Sequence, residues 1–195
     1  MMIVELAILI YSVILHEISH GYVADKLGDP TARLSGRLTL DPRPHIDPLM
    51  TIGLPLILFL TGAGIIFGAA KPVPIDPFNF REPKKDIALT ALAGPATNLL
   101  IAVILALLFR LYPSDILSTG VILNVGLALF NLIPIPPLDG FKVLTGILPD
   151  DLARDLASLE RFGFTLIFIV LLFFPGVIFG LISPILHTIL GFLLP

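Results

Sequence analysis

Apolar positions gather into five stretches, at about 2–23, 48–67, 87–111, 116–135 and 162–194, separated by polar connections at 24–47, 68–86, 112–115 and 136–161. Runs of this length predict helices that cross a bilayer, because about 20 residues at 1.5 Å each span a hydrocarbon core of about 30 Å. Two stretches depart from that pattern. Gly53, Pro55, Gly62 and Gly64 interrupt 48–67, as suits a re-entrant or broken segment shielded by protein. The last stretch would be near ~50 Å as one helix, so Pro175-Gly176 is expected to break it, into a hairpin or a span plus an interfacial piece. Leu152, Leu156 and Leu159 stand at i, i+4 and i+7, which predicts an amphipathic helix over 150–161 lying at the membrane interface. Residues 33–40, Arg-Leu-Ser-Gly-Arg-Leu-Thr-Leu, approximately alternate polar and apolar side chains and read as an exposed or half-buried strand. The expected fold class is therefore an all-α integral membrane protein. It is a polytopic helical bundle with a short cytoplasmic β segment and a re-entrant or broken segment, in a single domain over 1–195.

Composition agrees. Hydrophobic residues make up 56% of the chain and charged ones 14%, and the mean hydropathy is +0.99, far from a soluble domain with about a quarter of its residues charged. A net charge of −3 and the lack of a basic tail argue against nucleic acid as a partner and leave the lipid bilayer as the chain's surroundings. With no cysteine there are neither disulfides nor thiolate metal ligands. The first apolar run lacks a basic n-region, so it reads as a permanent helix and not a cleaved signal. Lys26, Arg33, Arg37 and Arg43 lie in the first connection, Lys71, Arg81, Lys84 and Lys85 in the second, and Lys142, Arg154 and Arg161 in the fourth. Only Arg110 borders the third. The positive-inside rule places the first, second and fourth connections in the cytoplasm, which requires that 48–67 enter and leave on one side. The alternative is a full crossing with one basic loop left outside.

The chemistry starts at His16-Glu17-Ile18-Ser19-His20, an H-E-x-x-H sequence ending a run, Met1 to Leu15, whose one charged residue is Glu5. At about 100° per residue, His16 and His20 share a helical face one turn apart, so both imidazoles reach one ion. Glu17 lies beside them, placed to take a proton from water. With four His and four Glu in the chain, the motif arises by chance in about two of a thousand such sequences, so it is specific. A catalytic zinc takes three protein ligands, and the remaining candidates near apolar segments are Asp139, His45, Asp47 and His187. Asp139 stands after Pro134, Pro136 and Pro137, which prevent a regular helix. Extended backbone at membrane depth is tolerated only where it lines a cavity or is buried, and a carboxylate there needs a cation. The plain alternative is an Asp139-Gly140 turn at the membrane edge.

These motifs resemble a known family. H-E-x-x-H in the first membrane helix, Gly94-Pro95-Ala96-Thr97-Asn98 in a middle one, and Asn131 with Leu138-Asp139-Gly140 in a later one are similar to the site-2 family of intramembrane zinc metalloproteases. Gly28-Asp29-Pro30-Thr31-Ala32, Gly36-Arg37-Leu38-Thr39-Leu40 and Ala70-Lys71-Pro72-Val73-Pro74 resemble its small bacterial and archaeal members, which carry no PDZ or nucleotide-sensing domain. The resemblance implies regulated intramembrane proteolysis of a transmembrane protein substrate in a prokaryotic cell membrane, with the active site toward the cytoplasm. It also implies Zn2+ held by His16, His20 and Asp139, Glu17 as general base, and Asn131 as a polar contact for the substrate or its oxyanion. A strand at 33–40 would offer an edge to an unwound substrate by strand addition, or be no more than a cytoplasmic turn.

Other residues keep two readings. Gly94-Pro95 starts a helix, or Ala88, Ala91 and Gly94 form a small-residue face for close packing on the first helix. Asn98 supports a ligand histidine or bonds between helices. Asn131 caps a helix or touches substrate. His45 and Asp47 read as loop and capping groups, and His187 as a satisfied donor between helices. Intramembrane His, Asp and Asn also suit a transporter or channel, and a metal site also suits a silent binding protein. Glu17 beside the first histidine favours the protease over both. Substrate identity, upstream signal and self-association into a homo-oligomer stay open.

Overall fold

The computed structural model describes residues 2–60 and 68–194, and among these every regular element is helical. The long helices are α1 (Met2–Leu27), α4 (Pro83–Leu111), α5 (Asp115–Asn131) and α9 (Pro175–Leu193). Shorter ones are α2 (Thr31–Leu34), α3 (Leu54–Leu60), α6 (Asp139–Ile147), α7 (Asp150–Ala157) and α8 (Gly163–Phe173). Among the described residues four helical stretches are long and apolar enough to cross a membrane: Ile3–Leu27, Pro83–Leu111, Asp150–Phe173 and Pro175–Leu193. The surface is apolar and much of the deep interior is not. Leu100, Leu107, Phe173 and Phe192 are exposed, whereas Ser12, Thr90, Asn98 and Asn124 are buried. Water does not tolerate an apolar surface of that extent, so this is a membrane protein.

Helix ends follow their residues. Gly28, at φ +116°, closes α1 in the left-handed region that glycine alone enters cheaply. Gly28 N–H then reaches the Asp25 carbonyl and Asp29 N–H the Ala24 carbonyl, which satisfies two orphan acceptors of the last turn. Ser114 caps α5 through its side chain, and the Asp86 carboxylate accepts from Glu82 N–H at the start of α4.

The expected β segment at 33–40 is not formed. Arg33 and Leu34 close the single turn of α2, and Gly36, at φ +66°, ends it as Gly28 ends α1: Gly36 N–H donates to the Arg33 carbonyl and Arg37 N–H to Ala32. The alternation was real, but the helix-stop glycine inside it decides the local structure, and no strand exists among the described residues to pair with it. The reading of Gly94-Pro95 as a helix start is also corrected, since both lie in the middle of α4.

Segment 48–67 is described to Leu60, so Gly62 and Gly64 lie outside the described residues. It opens as a π-helical turn, Pro48–Gly53, held by Asp47, whose carboxylate accepts from Leu49 and Met50 N–H. Its start meets the connection that follows it: Ala69 N–H donates to the Met50 carbonyl, Thr51 Oγ to the Ala69 carbonyl, and Lys71 N–H to the His45 carbonyl. At the other end of the chain, helix breaks at Phe174 between α8 and α9, next to Pro175 as expected.

Two apolar clusters hold the bundle. Ala102 and Ala106 of α4 meet Val121 and Val125 of α5, covered by Leu186, Ile189 and Leu190 of α9. Ile167 of α8 and Ile178 of α9 close over Ile133 and Leu138, thereby burying part of the proline-rich stretch between α5 and α6.

Asp29 ties the first connection to the second. Its buried carboxylate accepts from Thr31 N–H at 3.1 Å, Asp76 N–H at 2.8 Å, Asn79 Nδ2 at 2.8 Å and the Thr31 hydroxyl. Burial pushes this carboxyl up, but the donated bonds outweigh it and hold its pKa below the ordinary value. Asp29→Ala strands several buried donors and is expected to cost on the order of 2–4 kcal/mol, read as a lower melting temperature in detergent. Because the folded pKa is depressed, the difference from wild type should be full above about pH 4 and fade as pH falls further, through the folded value.

Candidate metal centre

α1 carries His16 and His20 on one face, as their spacing dictates. Their Nε2 atoms lie 3.0 Å apart, with the rings edge to face at 87°. Asp139, the first residue of α6, brings Oδ2 to 3.1 Å from His16 Nε2 and 3.3 Å from His20 Nε2. The other ring nitrogens are committed. His20 Nδ1–H donates to the Thr90 carbonyl at 2.7 Å, and His16 Nδ1–H to Asn98 Oδ1 at 2.6 Å. Thr90 and Asn98 both belong to α4.

Those outer bonds decide what the cluster can hold. A neutral imidazole that donates from Nδ1 keeps a lone pair on Nε2, so two nitrogen lone pairs and a carboxylate oxygen face one point. Asp139 Oδ2 is buried and has no hydrogen-bond partner. Three acceptors without a shared proton repel one another, and a divalent cation converts that repulsion into ligation. Two imidazoles and one carboxylate form a zinc donor set of catalytic type, with a coordination position left for water. The residues present therefore fit Zn2+.

Gly94 sets how close α4 approaches. A Cβ there would sit 2.5 Å from His16 Cε1 and Nε2 and from His20 Nε2. The small-residue face expected on α4 is thus in use: Gly94 backs onto the imidazoles and Ala91 is buried, while Ala88 meets Gly146 of α6. Gly140 is as constrained, because a side chain would strike the carbonyl of Leu132, where the chain turns back toward the cluster.

Glu17 offers a carboxylate oxygen within 4.8 Å of the histidine ligand atoms. Its Oε2 accepts from Val73 N–H at 2.9 Å. Val73 lies between Pro72 and Pro74, neither of which has an N–H, in a stretch over 68–76 that is neither helix nor strand. Arg37, largely buried, holds that stretch by donating from Nη2 to the Lys71 carbonyl at 2.7 Å.

The other candidates lie elsewhere. His45 donates from Nε2 to the Thr39 carbonyl, Asp47 caps the π-helical turn, and His187 bonds within α9 to Ser183 rather than between helices. Asn131 ends α5, and its Nδ2 donates back to the Leu127 carbonyl at 2.9 Å, one turn up its own helix. Asn98, by contrast, bonds both to His16 Nδ1 and across to Asn124 of α5, so it supports a motif histidine and bonds between helices at once. Sequence reasoning missed Val73, Thr90 and Asn124. Thr90 and Val73 act through backbone atoms, which leave no trace in residue type. Asn124 carried a signal, an amide in the middle of an apolar helix.

Known proteins are similar over most of the chain. A Bacillus subtilis protein named "Putative zinc metalloprotease YwhC" is 38% identical over 181 residues, covering 86% of this chain and 78% of that one. Two mycobacterial proteins named "Putative zinc metalloprotease Rip2" are 37% identical over 174 residues (Mycolicibacterium smegmatis) and 34% over 176 residues (Mycobacterium tuberculosis). The alignments cover 64% and 66% of their length, so the chain spans just under two thirds of each. No family model and no solved structure matches.

Gly94→Ala is expected to push the imidazoles apart and to lower bound zinc at least about tenfold, a change of the size that disturbed ligand support produces. Gly126→Ala in α5, where a Cβ meets nothing within 4 Å, is the matched control and should keep wild-type zinc. Metal analysis of the two purified proteins reads the difference.

Proposed function

Because this chain belongs to the site-2 type of zinc metalloproteases, we propose that it is an intramembrane endopeptidase that cuts peptide bonds within or near the transmembrane segments of other membrane proteins. The observation that carries this is the convergence of His16 Nε2, His20 Nε2 and Asp139 Oδ2 within 3.3 Å, inside a bundle whose outer surface is apolar. His16, His20 and Asp139 hold zinc. When bound, zinc supplies the Lewis acidity that makes water a nucleophile at neutral pH.

Glu17 does the proton work. One carboxylate oxygen is fixed by Val73 N–H, and the other accepts the proton of the attacking water and returns it to the leaving amine. Fixing one oxygen orients the second without using it. Thr90 and Asn98 hold the rings while the protons move. Asn131 is retained as a substrate contact, since donation to Leu127 leaves its amide oxygen and one hydrogen for a passing peptide. A helical substrate hides its peptide bonds in its own ladder, so it unwinds before it reaches Glu17.

The proposed arrangement is multi-pass, in a prokaryotic cell membrane, within a single domain, with the site toward the cytoplasm. Its support is the charge pattern of the connections together with the bond from Ala69, in the second connection, to Met50 near the start of 48–67. Bonds between the start of a segment and the residues that follow it support entry and exit on one side. The charged α7 then lies toward the interface, at the start of the stretch Asp150–Phe173 that is long enough to cross.

Zinc analysis and cleavage of a candidate transmembrane helix by purified protein test the chemistry. Glu17→Gln keeps the shape and the Val73 bond but cannot accept a proton. It should retain wild-type zinc while losing about 10²–10⁴-fold in cleavage rate; equal cleavage by the two proteins rules out Glu17 as base. For topology, single cysteines replacing the exposed Arg43 and Lys85 in this cysteine-free chain should be labelled from one side of sealed vesicles. Labelling from opposite sides would mean a full crossing at 48–67.

A further inference from the structure

Behind His16 lies a chain of buried amides that the reaction does not touch. Asn98 and Asn124 have no exposed surface, and Ser12 is buried beside them. Asn98 Nδ2 donates to Asn124 Oδ1 at 3.0 Å, and Asn124 Nδ2 donates to Ser12 Oγ at 2.9 Å and to the Gly120 carbonyl at 2.9 Å. Three helices, α1, α4 and α5, thus meet in one hydrogen-bonded line that ends on a zinc ligand.

The direction of that line is set by two acceptors that cannot donate, the Gly120 carbonyl at its far end and, at a longer 3.4 Å, the Ser12 carbonyl that also accepts from Asn98 Nδ2. The Gly120 carbonyl only accepts, so the amide atom facing it is the nitrogen of Asn124. The oxygen of Asn124 therefore faces Asn98 and demands a donor, which turns the Asn98 nitrogen toward α5 and its oxygen toward His16. That oxygen in turn demands N–H at Nδ1. Reversing one amide would set oxygen against oxygen or N–H against N–H in a site that water does not reach, and an unmet buried polar group costs about 1–3 kcal/mol. His20 needs no such relay, because the Thr90 carbonyl accepts directly.

We propose that Asn124, aided by Ser12, is a positioning residue for the metal site: through Asn98 it fixes the tautomer and orientation of His16, so that Nε2 offers its lone pair to zinc. This rests on the reading of His16 as a zinc ligand. It assigns to α5 a part in metal affinity although none of its residues reaches the metal position.

The test is a double-mutant cycle on purified protein in detergent, with zinc dissociation constants from competition with a chromophoric chelator. Asn98→Ala and Asn124→Leu should each weaken zinc about 10–100-fold. The double variant should be no weaker than Asn98→Ala alone, because Asn124 acts through Asn98. The visible spectrum of the cobalt-loaded proteins should change alike in both single variants, and the melting temperature of the metal-free protein shows whether each variant is folded. Additive losses, or wild-type affinity in Asn124→Leu, overturn the proposal. If Asn124→Leu does not fold, Ser12→Ala takes its place in the cycle under the same criteria, with a smaller loss of about two- to fivefold, as for a relay that keeps its Gly120 end. Wild-type protein that binds no zinc at all removes the metalloprotease reading itself, whereas zinc-binding wild type with indifferent variants removes the relay alone.

Discussion

The centre of this molecule depends on how near the backbone of α4 comes to the face of α1 that bears two histidines. Gly94 presents no side chain there, and the gap it leaves is already filled by the imidazoles. From that approach the other bonds follow. Thr90 lies one helical turn before Gly94 and Asn98 one turn after it, so both meet ring nitrogens of residues that are themselves one turn apart. Thr90 and Asn98, two turns apart on α4 with Gly94 between them, thus fix the rings of two histidines one turn apart on α1. A bulkier residue at 94 would part the helices and break both outer bonds together.

A bilayer makes such a site costly to build and stable once built. Each polar group taken out of water needs a partner, and lipid supplies none. Here Asn98, Asn124 and Ser12 are paired with one another, whereas the Thr90 hydroxyl and the Asp139 oxygen are buried without a hydrogen-bond partner, and the second of these is an anion in want of a cation. The broken backbone that delivers Asp139 follows the same rule. Three prolines keep residues 132–138 out of regular helix, and Ile167 and Ile178 of the last two helices cover Ile133 and Leu138. The α8–α9 pair therefore serves the site at a distance, by keeping lipid away from an irregular segment.

Residue pattern made the long helices legible because a span is set by length and polarity alone, and the same holds for the break at Pro175. H-E-x-x-H was legible because helical spacing converts four positions of sequence into one turn of space. Asp139 was reached by scarcity, since few carboxylates lie near apolar segments. What failed was local punctuation. At 33–40 the period-two pattern hid Gly36, whose left-handed backbone ends a helical turn and excludes a strand. Gly94-Pro95 suits a helix start because proline favours that position, yet α4 continues through it and the glycine is needed for approach. Asn131 shows a further limit: its bond to Leu127 depends on a side-chain rotation that residue type does not fix.

The two sides of the H-E-x-x-H turn face different surroundings, and this divides the labour of the site. His16 and His20 are buried against α4, where amides and a carbonyl hold them. Glu17 is rotated by about 100° from His16, less buried, and meets the irregular stretch 68–76. That stretch has Val73 N–H as its donor between two prolines, and Arg37 and His45 anchor its start at Lys71. Ligation needs rigidity and exclusion of competing water, which the helix side provides. Under the proposed function, proton transfer needs water to arrive and a peptide to leave, and the loop side, where Glu17 meets the irregular stretch, is the side left for both. The same helical turn therefore serves both needs because its adjacent residues point to opposite kinds of neighbour.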